Sequence, residues 1–159
     1  MAKTKKNAFK KKSKMRSYRQ IYNPGTKKSG VEVNQKTIIS TFLETLNCIK
    51  LYHWKTYSYS THKATDELYT QCNNLFDQYV EIMLGKTLSR VDFSSSKVRS
   101  TPLVDFASSD LEGFRHYLNS FKSFLLNIKF EPSDSDLATV RDEILANINQ
   151  FLYLSTFSK

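Results

Sequence analysis

A chain of 159 residues has the length of one domain and can bury a core without disulfide staples. Hydrophobic residues make up 40% of it and charged residues 25%, with a formal charge of +9 from 24 Lys and Arg against 15 Asp and Glu. No run reaches the roughly 18 apolar residues of a transmembrane helix, and four glycines and three prolines are too few for a Gly-rich phosphate loop or a turn-rich β protein.

The charge is unevenly placed. Residues 1–30 hold Lys3, Lys5, Lys6, Lys10, Lys11, Lys12, Lys14, Arg16, Arg19, Lys27 and Lys28, and no acid. The other 13 bases face all 15 acids in residues 31–159. A basic arm on a slightly acidic body is expected, the arm mobile by itself and without a signal peptide's apolar stretch. Its unopposed cations suit phosphate neutralisation and counterion release. Phe9, Tyr18 and Tyr22 add rings that can stack on bases. No base-reading motif is present, so the expected partner is nucleic acid, double-stranded DNA first, without sequence specificity. Lys10-Lys11-Lys12-Ser13-Lys14 would also serve as a nuclear localisation signal, and the tail composition allows threading into ribosomal RNA. Without an amphipathic apolar face, a membrane partner is not expected.

The body reads as helices. Ile38, Ile39, Phe42, Leu46 and Ile49 recur at helical steps up to His53, placing a first helix over Asn34 to Thr56. A tyrosine-bearing link, residues 57–61, leads to a second helix from Thr61 to Gly85, with Leu68, Cys72, Leu75, Tyr79 and Ile82 on one face. The Ser-rich stretch 86–108 contains Pro102 and reads as a loop plus a short helix. Ser109 and Glu112 form a capping-box pattern ahead of a third helix carrying Leu111, Phe114, Leu118, Phe121, Leu125 and Ile128. Pro132 breaks the chain, and a fourth helix runs from Ser135 to Ser155 on Leu137, Val140, Ile144, Ile148 and Phe151. Four amphipathic helices predict an all-α four-helix bundle over residues 31–159. The short first link makes helices one and two antiparallel neighbours. The link after the second helix is long enough to run the length of the bundle, and one long crossover between helices two and three is the ferritin-like connection. Cys48 and Cys72, with no zinc spacing, read as buried thiols of an intracellular protein.

The second helix carries another pattern. His62, Asp66, Asp77 and Glu81 fall at about 0°, 40°, 60° and 100° around it, whereas the apolar set falls between about 200° and 280°. His53 lies near the end of the first helix on its apolar side. Two histidines and three carboxylates suit a metal such as Fe(II), which accepts imidazole and carboxylate together. A stripe of acids is also what a solvated helix face looks like, and His53 alone would pass for a core-edge histidine.

His53-Trp54, then His62-x-x-x-Asp66-Glu67-Leu68-Tyr69, then Asp77-x-x-x-Glu81, resembles the ferroxidase signature of Dps proteins, the DNA-binding mini-ferritins of starved bacteria. The resemblance is close over the first two helices and rests on length and pattern over the others. It extends to the poorly characterised ferritin-like proteins of large DNA viruses. It implies a ferritin-like bundle, a homo-oligomer that is a dimer or a dodecameric cage, and an iron site shared across a two-fold interface. Asp77 and Glu81 would bind Fe(II), His53 and His62 of a second subunit would complete the site, and Asp66 would be ligand or supporting acceptor. Peroxide or dioxygen would be the oxidant. Trp54 reads first as a helix-packing residue and second as an electron-rich ring beside the site. The implied locations are cytoplasm or nucleoid, or the virion or host nucleus for a viral protein. The segment between His53 and His62 is shorter than usual for the family and lacks its glycine, which alters how the two histidine ends meet. That difference motivates the alternative of a structural packaging protein with a vestigial iron site. His116, without a ligand partner at helical spacing, is expected at the surface or at an interface.

Overall fold

The computed structural model describes residues 34–88, 90–93 and 104–157. All lie in the unit Glu32–Lys159, one of two into which the chain divides. The basic arm over residues 1–30 lies outside the described residues. Among those described are four α-helices and no strand: α1 (Gln35–Lys55), α2 (Tyr59–Thr87), α3 (Leu111–Leu126) and α4 (Ser135–Leu154). No helix among them is long and apolar enough to cross a membrane.

The helices start at local caps. Asn34 Oδ1 accepts the Thr37 N–H at 2.9 Å and opens α1. Ser58 Oγ accepts the Thr61 N–H at 3.3 Å and opens α2 two residues earlier than the sequence pattern suggests. The link is thereby reduced to Thr56, Tyr57 and Ser58. Asp110, and not Ser109, caps α3 through the Gly113 N–H at 2.8 Å. The absence of a side chain at Gly113 matters here, because a Cβ would run into the Asp110 carboxylate. A 3-10 turn, Pro132–Asp134, with Glu131 and Asp134 in a capping box, leads into α4. α2 ends at Leu88, whose φ of 49° is left-handed, a conformation in which a Cβ crowds the following carbonyl.

Ring contacts set the helix directions. Phe42 of α1 stacks on Phe76 of α2 at 4.2 Å, and Phe121 of α3 meets both, edge to face, at 6.1 and 5.7 Å. Ten residues along α1, Tyr52 stacks on Phe114, at the start of α3, at 4.3 Å. So α1 and α3 are antiparallel. Phe114 in turn meets Phe151, near the end of α4, at 5.6 Å, which makes α3 and α4 antiparallel. At the other end, Lys86 of α2 reaches Asp134 and Asp136 at 3.2 and 3.0 Å, fixing the end of α2 against the start of α4. Consequently α2 and α3 run the same way, and the connection from Leu88 to Asp110 travels from one end of the bundle to the other. Its returning end is pinned beside the end of α1 by the Lys55–Asp105 ion pair, 2.6 Å, and the Tyr52–Phe106 ring contact. The described parts of the stretch 86–108 beyond α2 hold no helix; the rest of it lies outside the described residues.

The core faces match the sequence pattern in α4, where all five named apolar residues are buried. In α1 and α2 the buried face is rotated. Thr41, Thr45, Cys48 and Tyr52 are buried in α1, whereas Ile39 and Leu46 are only half-buried. In α2, Phe76 and Met83 are buried in place of Leu75 and Ile82, a shift of one residue along the helix. Buried hydroxyls permit this rotation where they find partners: Thr45 Oγ1 lies 3.2 Å from Tyr117 Oη. Ile128 is buried beyond the end of α3, and Leu111 is half-buried. Cys48 and Cys72 are buried free thiols, and burial pushes Cys72 up to about 12.

This packing makes two outcomes measurable. Phe121 is fully buried and touches rings from two other helices, so Phe121→Ala should lower the unfolding free energy by about 3–5 kcal/mol in urea melts. Glu44 has a buried Oε1 with no hydrogen-bond partner among the described residues, and burial raises its carboxyl above the usual range. A raised folded-state carboxyl favours folding at acid pH, and that advantage is lost as pH rises through the folded value. Glu44→Gln should therefore melt above wild type at pH 8, with the difference closing near pH 4.

Candidate metal centre

The three-residue link brings the end of α1 against the start of α2, and the two candidate histidines meet there. Their rings stack at 3.9 Å with planes inclined by 22°. The contact is reciprocal. His53 Nδ1 lies 3.0 Å from the His62 carbonyl, and His62 Nδ1 lies 3.0 Å from the His53 carbonyl. A carbonyl oxygen only accepts, so each Nδ1 carries the proton and donates it. In the neutral imidazole the lone pair is then on Nε2. This is the arrangement seen around metal-binding histidines, where a bond at one ring nitrogen fixes the tautomer and aims the other.

Thr65 reinforces the lock. It is fully buried, and its Oγ1 donates to the Thr61 and His62 carbonyls at 2.8 and 3.0 Å. With its own proton committed, Oγ1 accepts from His53 Nδ1, 3.3 Å away. His53 is itself buried, at 7% exposure, while His62 is partly exposed. Asp66 lies one turn beyond His62, and its Oδ1 stands 3.8 Å from His53 Nε2. The same oxygen stands 3.8 Å from Lys50 Nζ. Asp66 also borders an open groove of about 660 Å³ between α2 and the end of α4, where Phe151 and Leu154 line it.

Three of the five candidate ligands are thus gathered at one end of the bundle. Asp77 and Glu81 are not with them. Both are exposed, and they lie about 16 and 22 Å beyond Asp66 along α2 at 1.5 Å per residue. Among the described residues, no group of three His, Cys, Asp or Glu side chains within the chain is placed to hold a metal ion. The stacking adds a constraint. Ring planes inclined by only 22°, with centroids 3.9 Å apart, do not converge within the roughly 2 Å of a metal–nitrogen bond. One ion cannot take both Nε2 lone pairs in plane.

Trp54 does not pack into the bundle; it is 67% exposed. His116 is exposed on α3. Sequence spacing overlooks Thr65, whose hydroxyl looks like any surface polar group, and Lys50, which stands about one helical turn before His53.

The span from His53 to the end of α4 also decides the family. The chain belongs to DUF5856. This is a family of unknown function, and its model matches residues 53–154. That range begins at His53 and contains His62, Asp66, Asp77 and Glu81; it leaves out residues 1–30 and most of α1. Neither the curated proteins nor the solved structures hold a match.

The lock on His53 is open to test. Wild type should show both imidazoles as Nδ1–H tautomers in long-range proton–nitrogen correlation spectra. Thr65→Val should release part of the His53 signal to the other tautomer and lower stability by about 1 kcal/mol. A wild-type His53 already protonated at Nε2 alone would refute the lock.

Proposed function

We propose that the chain is a Dps-like mini-ferritin: a ferritin-like bundle that binds and oxidises Fe(II) and, through its basic arm, protects or compacts nucleic acid. The observation that carries this reading is the reciprocal histidine lock, which leaves two Nε2 lone pairs at the end of the bundle that holds Asp66. The parallel course of α2 and α3, joined by one long connection, supports the ferritin-like part.

In this reading iron is the substrate. The histidine end of one chain supplies His53, His62 and Asp66, and Asp77 and Glu81 of a second copy complete the donor set. Two imidazoles that cannot share an ion suit two Fe(II) ions side by side. Two ions suit peroxide, which takes up two electrons, one from each Fe(II), and leaves two hydroxides and two Fe(III). Carboxylates favour the product, because they offset the higher charge on iron. Trp54, exposed at the same end, is an electron-rich ring near the reacting ions.

The arm works separately. Eleven cations between Lys3 and Lys28 would bind the phosphate backbone of DNA without reading its bases. A second reading keeps the bundle and the arm as a packaging protein, inside a cell or a virion, with a vestigial metal site. It is favoured by the short link between α1 and α2, three residues long.

Iron oxidation separates the two readings. Wild-type protein mixed anaerobically with Fe(II) and then with peroxide should develop ferric absorbance at least about ten-fold faster than Asp77→Ala/Glu81→Ala. Equal rates would leave only the packaging reading, and mass measurement in solution should show an oligomer in either case. Removing residues 1–30 should abolish a DNA mobility shift at low salt, and the intact chain's shift should weaken steeply as salt rises.

A further inference from the structure

Asp66 is already engaged. The Lys50 ammonium and His53 Nε2, both from α1, stand 3.8 Å from its Oδ1. The ammonium also lies 4.5 Å from the centre of the Tyr69 ring and 5.9 Å from that of Trp54. A carboxylate and two ring faces therefore surround one positive charge, each of them attractive to it. An ammonium has three donors and no lone pair, so Lys50 in its charged form cannot be a metal ligand. A divalent ion on Asp66 would meet a like charge a few ångström away. Lys50 and Asp66 are 28% and 50% exposed, so the pair is loose enough to open. The four-carbon stem of the lysine can carry its charge out into water.

We propose that Lys50 is an internal competitor for the metal at Asp66: its ammonium stands against the carboxylate, and iron enters as Lys50 leaves. The inference rests on the iron reading and adds a regulator to that site. His53 is held ready by the Thr65 and carbonyl bonds, whereas its neighbouring carboxylate is held shut. Displacement of Lys50 is then the event that assembles the donor set, and it sets how much divalent metal is needed to fill the site.

The test is anaerobic calorimetric titration with Co(II), an oxidation-resistant stand-in for Fe(II). Wild type, Lys50→Met, Lys50→Arg and Lys50→Met/Asp66→Asn are compared, each first shown to be folded by its melt, with Lys50→Gln replacing Lys50→Met if the latter does not fold. Lys50→Met should bind roughly two- to five-fold tighter than wild type. Lys50→Arg keeps the charge and should bind as weakly as wild type, and the added Asp66→Asn should erase the gain. A lysine with a merely structural role would move the melt and leave these ratios unchanged. Binding by wild type with no gain in Lys50→Met overturns the competitor while leaving the iron site standing. Absence of Co(II) binding in every variant overturns the iron reading and the competitor with it.

Discussion

The three-residue link between Lys55 and Tyr59, with His53 against His62 beside it and Phe42 against Phe76 farther along, turns α1 and α2 back on each other. The rest of the bundle is built on that constraint. It makes the two helices antiparallel, puts the last turn of one against the first turn of the other, and presses His53 onto His62. The exchange of Nδ1 hydrogen bonds for backbone carbonyls then closes the turn from both sides. The His53 carbonyl belongs to the last turn of α1, where acceptors lack intrahelical partners, so His62 meets a structural need as it is oriented. From there Lys50, Asp66 and Tyr69 fall opposite one another across the α1–α2 seam.

The bundle depends on the opposite device at its other connection. Leu88 and Asp110 are at opposite ends, and the chain must travel the full length between them. The stretch that leads into α3 is held by the Lys55–Asp105 ion pair and by Phe106 resting against Tyr52, Phe114 and Tyr117. Short and long links together decide which helices are parallel, and thus which end carries the candidate ligands.

Much of this architecture was legible in the sequence, and unevenly so. The 3.6-residue period located four helices, and in α4 it named every buried apolar residue, because that helix buries a purely aliphatic and aromatic face. In α1 and α2 the same period pointed slightly the wrong way. Thr41, Thr45, Thr61 and Thr65 are buried there, and a hydrophobic pattern gives threonine no weight. Partner hydroxyls and carbonyls, such as Tyr117 Oη for Thr45 and the Thr61 carbonyl for Thr65, make such positions acceptable inside. The cap of α3 was misplaced by one residue because Ser109 and Asp110 are both good caps, and Gly113 chooses between them by leaving room for the aspartate. Within the site, spacing brought forward the residue types, and the meeting of His53, His62 and Asp66 depends on the short link. The ring stacking and the engagement of Asp66 by Lys50 are contacts between helices, on which a single-helix angular count is silent.

Trp54 is the only tryptophan in the chain, and it stands at the histidine end with two-thirds of its surface in water. Its fluorescence is therefore detached from the core. Emission should already be red-shifted in the native protein and change little when the Phe42, Phe76 and Phe121 seam comes apart. Events at the α1–α2 turn, by contrast, take place within a few ångström of the indole, since Lys50 lies 5.9 Å from its ring. The molecule thus carries one optical label that is poor at following unfolding and well placed to follow what happens at its own candidate site.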